Sequence, residues 1–370
     1  MAVQIAKGSL FMHLMSASVA VANHAGKIIR EIMRKGNLGI VEKGINDLQT
    51  EADRSAQRCI VNSLLKHFPR VTVIGEETLE AVDHEQPIVN LSDCEAINVE
   101  CPEHLASIKE EEVVIWVDPL DGTAEYTQGL LDHVTVLIGL AVNGKAVGGV
   151  IHQPYYNYKN QEDILKLGRT IWGIVGVGSS GIDHCMPPVN KRIITTTRSH
   201  SNPIINSTIA ALHPDEVLKV GGAGHKVLLL IEGKAHAYVF PSKGCKKWDT
   251  CAPEALLHAF GGKLTDIHGQ PLQYHAQVEH VNSSGVLATY LESVHDCLLV
   301  SSIITSVMLG NMDVFCHREE KVMKVFKETT CRLFNNFLRF VIVKNKFSKL
   351  LINLRNYNIQ NHYFVRSLLA

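Results

Sequence analysis

The segment Asp118-Pro119-Leu120-Asp121-Gly122-Thr123 sets two carboxylates three positions apart, around a proline and ahead of a glycine. Pro119 fixes its own φ so that the chain turns, Gly122 tolerates a tight bend, and Asp121 returns beside Asp118. Carboxylates held that close repel each other unless a cation lies between them. Hard divalent ions take such oxygen ligands, and an exposed peptide carbonyl such as that of Leu120 can complete the set. The same residues also make a good solvated turn, so the segment alone leaves both readings open. Two further acids favour the metal. Glu76, in Gly75-Glu76-Glu77, ends an apolar strand, which is where ligands gather in open sheets. Asp249, in Lys247-Trp248-Asp249-Thr250, stands at a helix start, where an N-cap role is the simpler reading for it alone.

Two segments have the make-up of phosphate anchors. Thr195-Thr196-Thr197-Arg198-Ser199-His200-Ser201 puts hydroxyls and basic groups between a strand and a helix. Gly221-Gly222-Ala223-Gly224-His225-Lys226 is a glycine-rich turn opening another helix, able to offer backbone N–H groups to an anion. It lacks the GxxxxGK[ST] spacing of a Walker loop. A third glycine motif, Gly176-Val177-Gly178-Ser179-Ser180-Gly181, matches GxGxxG, but Pro187-Pro188 follows where a dinucleotide fold needs a helix. A nicotinamide site is therefore rejected.

The elements that must position these residues read as follows. Leu10, Leu14, Ala17, Val21, Ile28 and Ile32 recur at helical spacing. The period continues through Lys27, Arg30 and Glu31, which favours an amphipathic helix over a secretory signal. The pattern then predicts a short strand over 38–41, a helix over 46–67 and a strand over 71–74. An acidic excursion covers 79–112, and a strand over 113–117 stops at Asp118-Pro119. Strands over 135–140 and 146–151 flank Asn143-Gly144, a hairpin signal. Beyond Gln153 come strands over 170–177, 192–197, 217–220 and 235–240, with helices over 202–212, 224–231 and 250–260. Hairpins mixed with strand–helix alternation predict a layered α/β (α+β) fold. Residues 1–152 form a half carrying most candidate metal ligands, and residues 153–310 a half carrying the anchor loops.

Composition limits the function classes. At 46% hydrophobic and 20% charged, the 370 residues have ordinary globular make-up. A net charge of -1 gives no field to recruit a nucleic acid polymer. The nine cysteines are odd in number and form no CxxC, so neither a disulfide framework nor a zinc site is signalled. A reducing compartment, and hence the cytoplasm, is expected.

Together the segments resemble the lithium-sensitive, magnesium-dependent phosphatase superfamily that includes inositol monophosphatase and fructose-1,6-bisphosphatase. Its acid-Pro-x-Asp-Gly-Thr turn and distal Trp-Asp read here as WVDPLDGT and KKWDTCAPE. The closer likeness is to its 3′(2′),5′-bisphosphate nucleotidase branch. It is carried in order by DLQTEAD, VIGEE, EYTQGLLDHVTVLIG, HQPYYNY, LGRTIWG, ITTTRSHSN, VGGAGHK, IEGKAHAYVF and GGKLTDIHG, over roughly residues 10 to 290. The resemblance implies an α-β-α-β-α sandwich with about two or three magnesium ions and inhibition by lithium. Glu76, Asp118, the Leu120 carbonyl, Asp121 and Asp249 would be the ligands. Thr123 would hold the attacking water, with Asp53 orienting Thr123 and accepting a proton. Thr197, His200, Gly222 and Lys226 would bind the nucleotide and its phosphates. The implied reaction is removal of phosphate from adenosine 3′,5′-bisphosphate by a monomer. An inositol polyphosphate 1-phosphatase and a non-catalytic phosphonucleotide-binding protein are the alternatives.

The chain departs from that pattern in two places. Ala124 stands where the nucleotidases of the branch carry Lys. Residues 311–370 hold eleven Lys or Arg against four Asp or Glu, a basic tail in which the family's terminal helix is not recognisable. The uncharged stretch 297–312 is too short for an integral span. A disordered extension is the reading preferred to a basic amphipathic surface helix.

Overall fold

Ser9 opens the first helix, α1 (Leu10–Lys35), by accepting the Met12 N–H on its hydroxyl at 3.3 Å. Gly36, at φ 76, closes it in left-handed backbone. The apolar period is its buried face, with Phe11, Leu14, Met15, Val21 and Ile29 fully enclosed. A computed structural model describes the chain over residues 9–44, 47–78, 88–91, 97–161 and 167–300. The basic segment 311–370 and its surface-helix reading lie outside the described residues. Among those described, no helix is long and apolar enough to cross a membrane.

The next elements differ from the sequence pattern. Strand β1 (Val41–Gly44) pairs antiparallel with β2 (Asp47–Gln49), so residues expected to be helical form half of a hairpin. Helix α2 (Glu51–His67) starts only after Thr50, because Thr50 and Asp53 make a capping box. Asp53 Oδ2 accepts the Thr50 N–H at 2.7 Å and the Thr50 hydroxyl at 2.5 Å.

Strand β3 (Thr72–Gly75) lies parallel to β4 (Val113–Asp121). The sequence stops β4 at Val117, yet it runs four residues further. A bulge absorbs the extra residue: Asp118 faces Leu137 while Asp121 faces Thr135. Pro119, with no N–H for a ladder, falls inside that bulge. A strand irregularity, not a sharp turn, thus separates the two carboxylates. After α3 (Thr123–Thr127), strands β5 (Thr135–Val142) and β6 (Lys145–Gln153) form the expected hairpin, with φ 52 at Asn143 and φ 74 at Gly144. Strands β7 (Arg169–Ile174) and β8 (Gly178–Ser180) complete a sheet of order β3-β4-β5-β6-β7-β8. The GxGxxG segment is therefore an edge hairpin.

The second sheet comprises β9 (Ile193–Thr197), β10 (Glu216–Val220), β11 (Ala237–Phe240), β12 (Lys263–Thr265) and β13 (Val286–Thr289), ordered β10-β9-β11-β13-β12. Its helices are α4 (Pro203–Ala211), α5 (Ala223–Ile231), α6 (Lys247–Ala259) and α7 (Glu292–Val300). Helices α1 and α2 cover one face of the first sheet, α5 and α6 lie between the sheets, and α4 and α7 flank the second. This is the expected helix–sheet–helix–sheet–helix order. In β5, Val136, Ile138 and Leu140 face α1 and α2 while Leu137 and Ala141 face α6, so both faces are apolar.

Three glycines bring α6 onto the sheet. Gly139, Gly149 and Gly173 are direct cross-strand partners on β5, β6 and β7. A Cβ would lie 2.5 Å from Ala252 N at Gly139, 2.3 Å from Ala252 O at Gly149 and 2.8 Å from Leu256 Cδ1 at Gly173. The helix backbone rests where side chains would stand, which fixes the position of the α6 N-terminus. Deeper in α6, Glu254 is 6% exposed and accepts the Tyr274 hydroxyl at 2.5 Å. Burial pushes its carboxyl up to about 8, with the Tyr274 bond and Lys247 pulling the other way. An unfolded glutamate titrates near 4.5, so folding favours the protonated form. Stability from this group is intact below pH 4.5 and declines as pH rises toward about 8. Glu254→Gln should remove roughly 3–5 kcal/mol of that decline. Denaturant midpoints at pH 5 and pH 9 test this, and an equal gap between wild type and variant at both would refute it.

Candidate active site

Because β3 and β4 are parallel neighbours, the residues at their ends arrive together. Glu76 follows β3, with its N–H donating to Val117 O at 3.0 Å, and Asp118 occupies the neighbouring strand. The α6 N-terminus supplies Asp249, the third residue of the helix, whose carboxylate reaches back to the Lys246 N–H at 2.7 Å. One carboxylate oxygen from each of Glu76, Asp118 and Asp249 lies within 4.8 Å of the other two. Asp249 is therefore not the N-cap that its position suggests: Lys246 is, and Asp249, two residues inside the helix, caps it from within while joining the acidic cluster.

The electrostatics of this cluster are unfavourable without a cation. Burial first, then Glu76, Asp121, Asp249 and Asp53, raises Asp118 well above the usual carboxylate range. Burial and then Glu76 push Asp249 up to about 7, against the pull of Lys246. Glu76 is raised by burial and by Glu77, with Lys43 opposing. The donors are all oxygen, which suits a hard divalent cation rather than zinc. Glu76, Asp118 and Asp249 could hold such an ion.

Asp121 has a second set of partners. Its Oδ1 accepts the Ala223 N–H at 2.8 Å, and its Oδ2 accepts the Gly224 N–H at 2.8 Å and the Thr135 hydroxyl at 2.6 Å. The carboxylate is therefore the anion at the α5 N-terminus. The helix-mouth N–H groups that the sequence left open for a phosphate are turned onto Asp121. About one of a carboxylate's four acceptor positions remains for a metal. A Cβ on Gly224 would lie 2.6 Å from Thr135 Oγ1, so glycine is what lets α5 approach this closely.

Gly122, at φ 91, carries the chain from β4 into α3 and puts Thr123 at the helix start. The Thr123 hydroxyl lies 3.0 Å from Asp53 Oδ1 and 3.0 Å from Leu120 O, and can donate to one of them at a time. Asp53 is 1% exposed. Burial pushes it up to about 7, with Glu77 and Glu76 adding and the Thr50 bonds opposing. A carboxyl in that range exchanges a proton near neutral pH.

Several supporting residues gave no clear signal in the sequence. Gln57 bridges the Glu77 backbone, donating to its carbonyl at 2.6 Å and accepting its N–H at 2.9 Å. It stands one turn beyond Asp53 on α2, and that i, i+4 spacing was the available clue. Gly75 admits it, since a Cβ there would lie 2.4 Å from the Gln57 amide. The buried Glu77 carboxylate is held by Gln49 and by Lys43 Nζ at 2.8 Å, and Lys43 also reaches Glu76 at 3.2 Å.

The expected substrate residues line the ends of the second sheet. Thr197 ends β9, and its hydroxyl accepts the His200 N–H at 3.1 Å. His200 is exposed, with Nδ1 3.0 Å from the Ser199 hydroxyl. Gly222 precedes α5 at φ 71, and its carbonyl accepts from Lys226 Nζ at 2.9 Å. Lys226 is 4% exposed, lies over the Tyr238 ring and is depressed by burial, with Asp121 opposing.

Comparison with known proteins bears on this arrangement. A model of the inositol monophosphatase family matches residues 12–299. The human protein 3′(2′),5′-bisphosphate nucleotidase 1 is 57% identical over 283 residues, covering 76% of this chain and 92% of its own. A Dictyostelium discoideum protein of the same name is 40% identical, covering 75% of this chain and 93% of its own. The crystal structure of the extragenic suppressor protein suhB from Bartonella henselae superposes with a TM-score of 0.57 at 21% identity, over 78% of this chain and 97% of its own. A family match across most of the described residues, an extensive relative above half identity and the shared fold place the chain in the inositol monophosphatase family of metal-dependent phosphatases.

Proposed function

We propose that the chain is a magnesium-dependent 3′(2′),5′-bisphosphate nucleotidase that removes the 3′-phosphate of adenosine 3′,5′-bisphosphate to give AMP and phosphate. The observation that carries the chemistry is the Thr123–Asp53 hydrogen bond set beside the Glu76, Asp118 and Asp249 cluster. The substrate rests on the 57% identity to the human protein of that name. When bound, magnesium supplies the positive charge a phosphate monoester dianion needs before an oxygen nucleophile can approach. Glu76, Asp118 and Asp249 would hold it, with the Leu120 carbonyl and the remaining face of Asp121. Thr123 Oγ1, donating to Asp53, keeps a lone pair for the hydrogen of an attacking water. Proton transfer from that water through Thr123 ends on Asp53, whose raised pKa suits it as acceptor. Thr197, His200, Gly222 and Lys226 would receive the nucleotide. A reducing, cytoplasmic setting belongs to the proposal on the odd number of cysteines and the lack of a CxxC pair.

Phosphate release from adenosine 3′,5′-bisphosphate and from inositol 1,4-bisphosphate, with magnesium and with a chelator, tests the proposal. Release from the nucleotide that needs magnesium and falls on adding lithium is expected. Release from the inositol phosphate alone would overturn the substrate. Nucleotide binding without release would leave a binding protein instead of an enzyme.

A further inference from the structure

A buried carboxylate two residues beyond Thr123 has no part in the chemistry above. Glu125, in α3, has a side chain only 2% exposed, and its Oε1 accepts Arg198 Nη1 at 3.0 Å. The second guanidinium nitrogen, Nη2, donates to the Gln128 side chain at the end of α3. Arg198 follows Thr197 and stands two residues before His200 in one substrate loop, and its own N–H donates to Val220 O at 3.1 Å, beside the other. The Glu125 carboxylate also rests on Gly221, where a Cβ would lie 2.0 Å from its carboxyl carbon. One buried acid therefore touches the loop after β9 and the loop after β10, while its own helix carries Thr123.

We infer that Glu125 and Arg198 are positioning residues: their ion pair sets both nucleotide loops of the second sheet in register with Thr123 at the end of the first. The inference rests on the nucleotidase reading and extends it to how the substrate's nucleoside end is aligned with the reacting phosphate. A planar guanidinium suits the task, because it fixes two acceptors on α3 at once where an ammonium would hold one. A buried carboxylate suits it too, since it has no alternative partner in solvent and holds its geometry. The pair makes no hydrogen bond to Glu76, Asp118, Asp121 or Asp249, and Asp121 is held on the glycine loop by Ala223, Gly224 and Thr135, so metal binding is separable from the pair.

The test compares wild type with Arg198→Met, Arg198→Lys and the double variant Glu125→Gln/Arg198→Met. AMP and magnesium are each titrated by calorimetry, and turnover of adenosine 3′,5′-bisphosphate is measured. For Arg198→Met, AMP affinity should fall and KM rise by roughly tenfold or more, because the two nucleotide loops must then be ordered by the ligand itself. The kcat and magnesium affinity should stay within about threefold. Arg198→Lys should recover part of the loss. The double variant leaves no unpaired buried charge, so it should fold even if loss of Arg198 alone unfolds the chain, with the same AMP defect. Unchanged AMP affinity in the double variant would overturn the inference, as would a parallel loss of AMP and magnesium affinity. A wild type that neither binds AMP nor hydrolyses the nucleotide would refute the nucleotidase reading instead. The pair would then be judged by the same variants on inositol 1,4-bisphosphate.

Discussion

Asp118→Asn is expected to make the metal-free protein more stable and to remove its metal-dependent phosphatase activity. The amide keeps the shape and still offers an oxygen to the Leu120 N–H, which Asp118 Oδ1 accepts at 3.0 Å. What it removes is a carboxyl that burial, Glu76, Asp121, Asp249 and Asp53 drive to take up a proton, which at neutral pH costs folding free energy. Without a cation those neighbours oppose the carboxylate, so relieving the repulsion should raise Tm by a few degrees, at about 2–4 °C per kcal/mol for a domain of this size. With a divalent ion present the sign reverses. Wild type gains stability by mass action because the ion binds only the folded chain, and the variant gains far less. Activity should drop on the order of 10³-fold, the scale of a lost electrostatic contribution to a developing charge. Melting curves with and without magnesium, beside phosphate release, read out both halves. A variant less stable without metal would show Asp118 to be a structural acceptor, and the metal reading of β4 would fail.

Parts of this centre were legible in the sequence because the chemistry sits at element ends. Glu76 follows an apolar run, Asp118 ends another, and Asp249 precedes a helical period, so each acid could be singled out locally. Their convergence was not legible, because it depends on non-local pairing. Gly139, Gly149 and Gly173 look singly like weak points in three strands; only their cross-strand register makes them the bed on which α6 carries Asp249 to the cluster. Local errors had local causes. Extending the helical period back to residue 46 hid the Thr50-x-x-Asp53 box, which is the signal that would have singled out Asp53. Reading Pro119 as a stop missed the bulge that lets β4 continue. The glycine loop before α5 offers N–H groups to an anion, as its composition predicts, but two of them are donated to Asp121 of the same chain. That contact joins the strand-end acids of the first sheet to the glycine loop of the second, a link no spacing rule contains.

Thr123→Val isolates the step proposed for Asp53 and Thr123 together. Valine has the same branched shape at the first residue of α3, so Gly122 and the helix start should be undisturbed. The substitution deletes one hydroxyl, the group 3.0 Å from Asp53 Oδ1 and 3.0 Å from Leu120 O. Asp53 keeps both Thr50 bonds at its other oxygen, so the α2 cap survives. Loss of a positioned proton-transfer group should lower kcat by about 10²–10⁴-fold. The KM should hold within about threefold, because the hydroxyl acts on the attacking water and not on the bound nucleotide. Magnesium affinity should change little, since the hydroxyl makes no bond to Glu76, Asp118 or Asp249 and occupies only one lone pair of the Leu120 carbonyl. Thr123→Ser, which returns the oxygen without the methyl group, should recover most of the rate. Steady-state kinetics of the three proteins with a magnesium titration decide the matter. A valine variant retaining more than about a tenth of wild-type kcat would reduce the Thr123 hydroxyl to a cap on the Leu120 carbonyl. Asp53 would then have to take its proton from the water directly.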